Sequence, residues 1–164
     1  MGAPVDVQQF RAAMARFPGA VTIITARDGD ERRGITATAV CSVSADPPSL
    51  LVCVNRGTGT CAAIDTSGRF AVNLLADPLA PLALRFAGIG GTTGEDKFAA
   101  GDWTADDTGL PLLSGALAAI SCDVAEAMTA GSHRIFIGHI RQIRQAEGAP
   151  LVYERARFHR LTAL

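Results

Sequence analysis

The spacing of apolar residues changes period several times along this chain, and each change marks an element. Val7, Phe10, Met14 and Phe17 fall at i, i+3, i+7 and i+10 in "VDVQQFRAAMARF". That spacing predicts one face of a helix, with Asp6 placed to cap its start. "AVTIITA" is alternating and β-branched, a strand, and the charged "RDGDERRG" behind it reads as a hairpin turn. "ITATAVCSVSA" predicts one long strand. Ile35, Ala37, Ala39, Cys41 and Val43 would face one way, and Thr36, Thr38, Val40, Ser42 and Ser44 the other. Pro47-Pro48 ends it, because proline cannot extend a ladder.

Further on, "SLLVCVN" is a buried strand, "TCAAIDTSG" a short helix stopped by Gly68, "RFAVNLLA" a strand, and "PLAPLALRFAG" a short helix opening on prolines. Residues 88–109 form a long loop, a kind usually kept for function. From Leu110 the pattern returns to strands: "GALAAISCDVAEAMTA", "SHRIFIGHIRQIRQA" and "PLVYERARFHRL", the last two joined by the turn "AEGA". Many strands at hairpin spacing with short helices between them predict a mainly β, mostly antiparallel barrel. No repeat or linker divides it, so residues 1–164 are expected to form a single domain.

Composition narrows the function. The chain is 48% hydrophobic, 19% charged and has a net charge of −1, so a folded core is expected and a positive field for nucleic acid is not. The C-terminal "ERARFHR" fits either a phosphate contact or a solvated last strand. No apolar run reaches membrane-span length, and "MGAPVDVQQF" lacks a signal-peptide pattern; a cytoplasmic protein without membrane contact is expected. Cys41, Cys53, Cys61 and Cys122 form no C-x-x-C and are expected as reduced, buried thiols of little reactivity.

"AGIGGTTG" misses the dinucleotide fingerprint, since Gly88, Gly90 and Gly94 are one residue out of step and follow a helix, not a strand. No P-loop, nucleophile elbow or zincin motif occurs. His133 and His139 share strand parity, but six residues of strand span about 20 Å, too far for one ion. No metal site is expected.

Three stretches remain. The Thr36, Thr38, Ser42 and Ser44 face carries small hydroxyls where a solvated face would carry long charged groups. A flat ligand lying close to the backbone fits this, and so does cover by a neighbouring subunit. "VNRGTGT" sets Asn55, Arg56, Thr58 and Thr60 among glycines before a helix; an anion seat and an ordinary capped turn both fit. "GSHRIFIGHI" puts His133 at the mouth of a strand, where it either greets a ligand or serves as a hydrogen-bonded structural histidine.

Together, and in order, these pieces resemble the short-chain flavin reductases, the flavin-reductase-like domain with an FMN-binding split barrel. Some members are reductase components of two-component monooxygenases. "FPGAVTIITA", "GITATAVCSVSADPPSLLVCVNR", "FAVNLL", "LALRFAG…GEDKF", "GSHRIFIGHI" and "PLVYERARF" carry the resemblance, from about Phe10 to Leu161. It implies a homodimeric split barrel using FMN or FAD and NADH or NADPH, with reduced flavin passing to a separate oxygenase.

The resemblance also implies where each cofactor sits. The flavin ring would lie along Thr36, Ala37, Thr38, Ala39, Ser42, Val43 and Ser44, beside Cys53 and Val54. Its phosphate would lie near Asn55, Arg56, Thr58, Thr60 and Arg85. Ser132 and His133 would flank the nicotinamide, with His133 as the catalytic contact; many members carry Gly-Asp-His at this turn, and here it is Gly-Ser-His. Hydride would pass from nicotinamide to flavin, the protein supplying orientation and electrostatics. Rival readings are a non-catalytic flavin-binding split barrel, or a flavin-dependent reductase of ferric iron or a corrinoid. A pyridoxamine-phosphate-oxidase-like enzyme is poorly matched, since Lys97 is the one lysine of the chain.

Overall fold

The chain enters through helix α1 (Val7–Met14) in a computed structural model that describes residues 4–164; residues 1–3 of the expected domain lie outside it. Asp6 sits at the N-cap position with extended backbone, but its side chain makes no capping bond, contrary to expectation. The predicted apolar stripe forms only in part: Val7, Phe10 and Met14 lie on the helix, Phe17 lies past its end, and all four are exposed in the single chain.

After a short strand β1 (Gly19–Ala20), β2 (Thr22–Asp28) and β3 (Glu31–Ala37) form the predicted hairpin. Asp28 pairs with Glu31 around a two-residue turn, where Gly29 supplies a φ of 58°. The predicted long strand is then two. β4 (Val40–Ala45) follows a break at Thr38-Ala39 and pairs with β5 (Pro48–Asn55), while β3 pairs with β2. Alternation survived the break because two residues preserve the parity of a strand, so the pattern gave no sign of it.

Helix α2 (Gly59–Ser67) starts at Thr58, whose Oγ1 accepts the Cys61 amide at 3.2 Å, and stops at Gly68, φ 68°. Next come β6 (Arg69–Leu74), a 3-10 turn at Asp77–Leu79 and α3 (Ala80–Phe86). The expected long loop is partly ordered into a 3-10 segment at Gly94–Ala99 and β7 (Trp103–Ala105). It is pinned by aromatic packing: the Phe98 and Trp103 rings lie 5.0 and 5.3 Å from that of Phe86.

β8 (Pro111–Leu113), β9 (Ala118–Ala130) and β10 (His133–Gln145) follow. The last predicted strand is a hairpin, β11 (Leu151–Glu154) and β12 (Arg157–Arg160). Its turn residues Arg155 and Ala156 both have positive φ.

The seven-stranded sheet runs β3-β2-β6-β9-β10-β5-β4, antiparallel throughout. Its two edge strands are joined by Thr38-Ala39 alone, so the chain itself closes the sheet into a split barrel. Ile24, Val52, Phe70, Val72 and Phe136 fill one core with α2, while Ile23, Ala71, Leu82, Phe86 and Leu112 form a second beneath α3. Thr22–Ala26 of β2 and Phe70–Asn73 of β6 are therefore buried on both faces.

Candidate active site

The break that closes the barrel also opens a cleft. Thr36, Ala37, Thr38 and Ala39 form one wall; Cys53, Val54, Asn55 and His133 another; Ala83, Leu84, Ala87 and Ile89 a third; Tyr153 and Phe158 the rim. The cleft holds about 440 Å³. Five consecutive residues, Ile35 to Ala39, line it where β3 ends and the strand breaks, so alternation is lost there. Thr38 and Ala39 lie outside the ladder, and among the described residues their amide N–H groups have no hydrogen-bond partner. Unpaired amides at a cleft wall are ready donors to a polar ring edge or developing negative charge. Thr36 differs from expectation: its hydroxyl is committed to the Ala83 carbonyl at 2.6 Å and ties β3 to α3.

A smaller recess of about 100 Å³ adjoins the cleft across Ile35. Thr58, Gly59 and Thr60 at the start of α2 border it, with Arg33, Gly34, Gly94 and Lys97. The Lys97 ammonium donates to the carbonyls of Gly34, at 3.2 Å, and Phe86, at 2.9 Å. Two of its three protons are thereby used and one is left for an anion. Burial holds the ammonium below the usual lysine range. Arg33 pairs with Glu31 on its other side. The Thr58 hydroxyl donates to the Asn55 carbonyl at 2.8 Å, so first-turn amides, two cations and the Thr60 hydroxyl make the phosphate-type donor set. A neutral, flat-walled slot joined to such a recess fits a flavin mononucleotide moiety, ring in the one and phosphate in the other.

His133 begins β10 opposite Asn55, the last residue of β5. Its Nδ1 lies 2.9 Å from the Ser132 hydroxyl. The turn before it is held from β5: the Arg56 amide donates to Ser132 O at 3.0 Å and its guanidinium to Gly131 O at 3.3 Å. Asn55 Oδ1 accepts the Gly57 amide at 2.8 Å, shaping the loop into α2. His139 contacts Ser49 Oγ at 3.1 Å and His159 contacts Glu154, so the three histidines serve three separate places.

Not every expected residue converges here. Ser42, Val43 and Ser44 lie past the break on edge strand β4, exposed and outside the cleft lining, where a register shift between Ser42 and Ser44 disrupts the ladder. Arg85 turns away from the recess and donates to the Lys97 carbonyl at 2.9 Å and to that of Asp96. Arg56 clamps the His133 turn and does not enter the recess. Cys41 is exposed, contrary to the expectation of four buried thiols. Sequence reasoning passed over Arg33, Lys97, Leu84, Ile89, Tyr153 and Phe158. A lysine standing alone in the composition was a signal for Lys97; the others come from elements whose approach only the fold decides.

Comparison with known proteins gives the family. Residues 14–162 match the family model described as a flavin reductase like domain. The chain is 41% identical over 155 residues to the 4-hydroxyphenylacetate 3-monooxygenase reductase component of Pseudomonas aeruginosa, covering 94% of this chain and 91% of that one. It is 38% identical over 156 residues to the FMN reductase (NADH) RutF of Ancylobacter novellus, covering 94% and 85%. The solved flavin reductase PheA2 superposes with a TM-score of 0.88 at 33% identity, covering 97% of this chain and all of that one. The fold is that of a split-barrel flavin reductase, and the chain belongs to the flavin reductase-like family. It is an NAD(P)H-dependent flavin oxidoreductase.

Proposed function

We propose that this chain, acting as one domain, seats the flavin ring in the cleft of Thr36–Ala39 and its phosphate in the recess of Arg33, Thr58, Thr60 and Lys97. Bound there, flavin supplies the acceptor for the hydride that reduced nicotinamide carries. The Thr38 and Ala39 amides donate to the polar edge of the ring. His133 touches the nicotinamide side, its ring oriented by Ser132 and its turn held by Arg56. Ala83, Leu84, Ala87 and Ile89 of the α3 side exclude water from the slot. Reduced flavin then leaves for a separate oxygenase, the role carried by the reductase component to which the chain is 41% identical. The exposed apolar stripe of α1 supports a homodimer, since a second copy can bury what this chain leaves open. The four free cysteines are in keeping with the reducing cytoplasm.

The observation that carries this reading is the union of a neutral slot and a cationic recess across one residue, Ile35. The test is an anaerobic stopped-flow mix of protein, FMN and NADH, followed at the flavin's visible absorbance. Fast bleaching, slowed in His133→Ala, supports the assignment. A protein that binds flavin without bleaching is a flavin carrier, and the proposal falls.

A further inference from the structure

Strand β1 carries a glycine that its own backbone does not require. Gly19 has no positive φ, so its conformation would admit any side chain. The space around it would not. A Cβ at Gly19 would stand 2.8 Å from Thr38 Cβ and 3.2 Å from Thr38 Cγ2. A glycine in a strand often marks such a close approach. Rotating the threonine about χ1 leaves its Cβ in place, so backbone would have to move.

The backbone that gives is that of the cleft wall. Thr38 lines the cleft on one side and, on the other, an apolar recess of about 330 Å³ that also takes in Pro18, Gly19 and Ala20. Gly19 borders the recess and not the cleft, so Thr38 stands between β1 and the flavin slot. β1 is tied on both sides. Gly19 pairs with Tyr153 of the cleft rim, the Val21 amide donates to the Leu151 carbonyl at 2.9 Å, and the Leu75 amide donates to the Val21 carbonyl at 3.0 Å. The crossover is tied less. The Val40 amide bonds back to the Thr38 carbonyl at 3.1 Å within one turn, and the Cys53 amide reaches the Ala39 carbonyl at 3.0 Å.

We propose that Gly19 is a positioning residue for the flavin ring: β1 backs the Thr38-Ala39 crossover, and a side chain at Gly19 would push that wall into the slot. The proposal rests on the placement of the ring along Thr36–Ala39. Because Gly19 does not border the cleft, its effect on flavin passes through Thr38.

Gly19→Ala is expected to weaken FMN and riboflavin alike, roughly tenfold in fluorescence quenching, and to shift the visible absorption band of the bound flavin. Gly138→Ala overpacks the barrel core away from the cleft; it destabilises the fold and leaves both affinities unchanged. In a Thr38→Gly background the close contacts are gone, and Gly19→Ala has no further effect on folding or flavin affinity. Unchanged affinity in Gly19→Ala, an equal loss in Gly138→Ala, or an undiminished effect in the Thr38→Gly background overturns the proposal. If Gly19→Ala alone does not fold, the double variant decides: it folds and binds flavin as Thr38→Gly does, or the proposal falls. Hydrogen exchange reads the same displacement without flavin. The Cys53 amide, bonded to Ala39, exchanges faster in Gly19→Ala than in wild type or Gly138→Ala, and an unchanged rate overturns the proposal. A wild type that binds neither flavin overturns the ring placement before any variant is made, and exchange at Cys53 still shows whether β1 holds the crossover.

Discussion

The Ser132 hydroxyl lies 2.9 Å from Nδ1 of His133, the residue that opens β10 against the cleft. With Nδ1 occupied by its own neighbour, Nε2 is the ring nitrogen free for a ligand. A serine can do this as either donor or acceptor, without adding charge to the cleft wall.

His133 is accordingly expected to act on the nicotinamide more than on the flavin. His133→Ala raises KM for NADH about tenfold, roughly 1.4 kcal/mol. FMN affinity, measured by fluorescence quenching, changes far less. Equal losses in both would remove His133 from the nicotinamide side.

Lys97 is expected to read the flavin phosphate. Lys97→Met weakens FMN by roughly 1.5–3 kcal/mol, the range for a hydrogen bond to a charged group, and leaves riboflavin, which lacks the phosphate, nearly unaffected. The pH dependence has a definite sign. Burial lowers the Lys97 pKa, so its ammonium loses the proton sooner than an exposed lysine as pH rises. FMN affinity therefore declines on the alkaline side, starting below the usual lysine range, while riboflavin affinity stays flat. A fall of the same size for both flavins would move the phosphate elsewhere.

Thiol labelling separates the four cysteines. Cys41 is exposed and reacts first with an aromatic disulfide reagent. Cys53 lies on the cleft wall with its thiol raised by burial; it reacts slowly and is protected further by FMN. Burial raises Cys61 as well and pushes Cys122 up to about 12, so these two label only on unfolding. Labelling of Cys53 at the same rate with and without FMN would exclude flavin from the cleft.

Gly138 is a packing requirement inside the barrel. A Cβ there would stand 2.7 Å from both the Phe70 ring and Cys122 Cβ, at a register shift of the β9–β10 ladder. Gly138→Ala overpacks this core and costs about 1–3 kcal/mol in urea unfolding. Trimming the opposing ring with Phe70→Leu in the same chain relieves part of the clash, so the two changes are not additive.

Helix α1 is predicted to matter for assembly and not for the fold. Phe10→Asp with Met14→Asp converts a dimer to a monomer in sedimentation velocity. The far-ultraviolet circular dichroism of the barrel is unchanged, because both side chains are exposed in the single chain. A monomeric wild type, or a variant dimer, would take α1 out of the interface.

Much of this protein was legible in its residues, because local physics decides those features. β-branched alternation in "AVTIITA", the Gly29-Asp30 turn, the Thr58 cap and Gly68 stop of α2, and the proline opening of α3 each depend on neighbours in sequence. The ordered set of motifs also carried the family. What failed did so where strands keep their parity while changing partners. Thr38-Ala39 looks like the middle of a strand, yet it carries the chain from one edge of the sheet to the other. The residues before it reach the cleft, and Ser42, Val43 and Ser44 after it do not.

The recess was hidden for a related reason. Arg33, Lys97 and Thr60 are far apart in sequence and meet only when β3, the 3-10 segment and α2 converge. A guanidinium at position 85 looked equally able to join them, until the packing of α3 turned it toward the carbonyls of the 3-10 segment. Sequence by itself determined the three helices, the β2–β3 hairpin, the barrel class and the turn that holds His133, because those follow from periodicity and turn chemistry. Tertiary structure alone decided which cations share the recess and that the cleft wall is neutral, because long-range pairing selects which side chains meet.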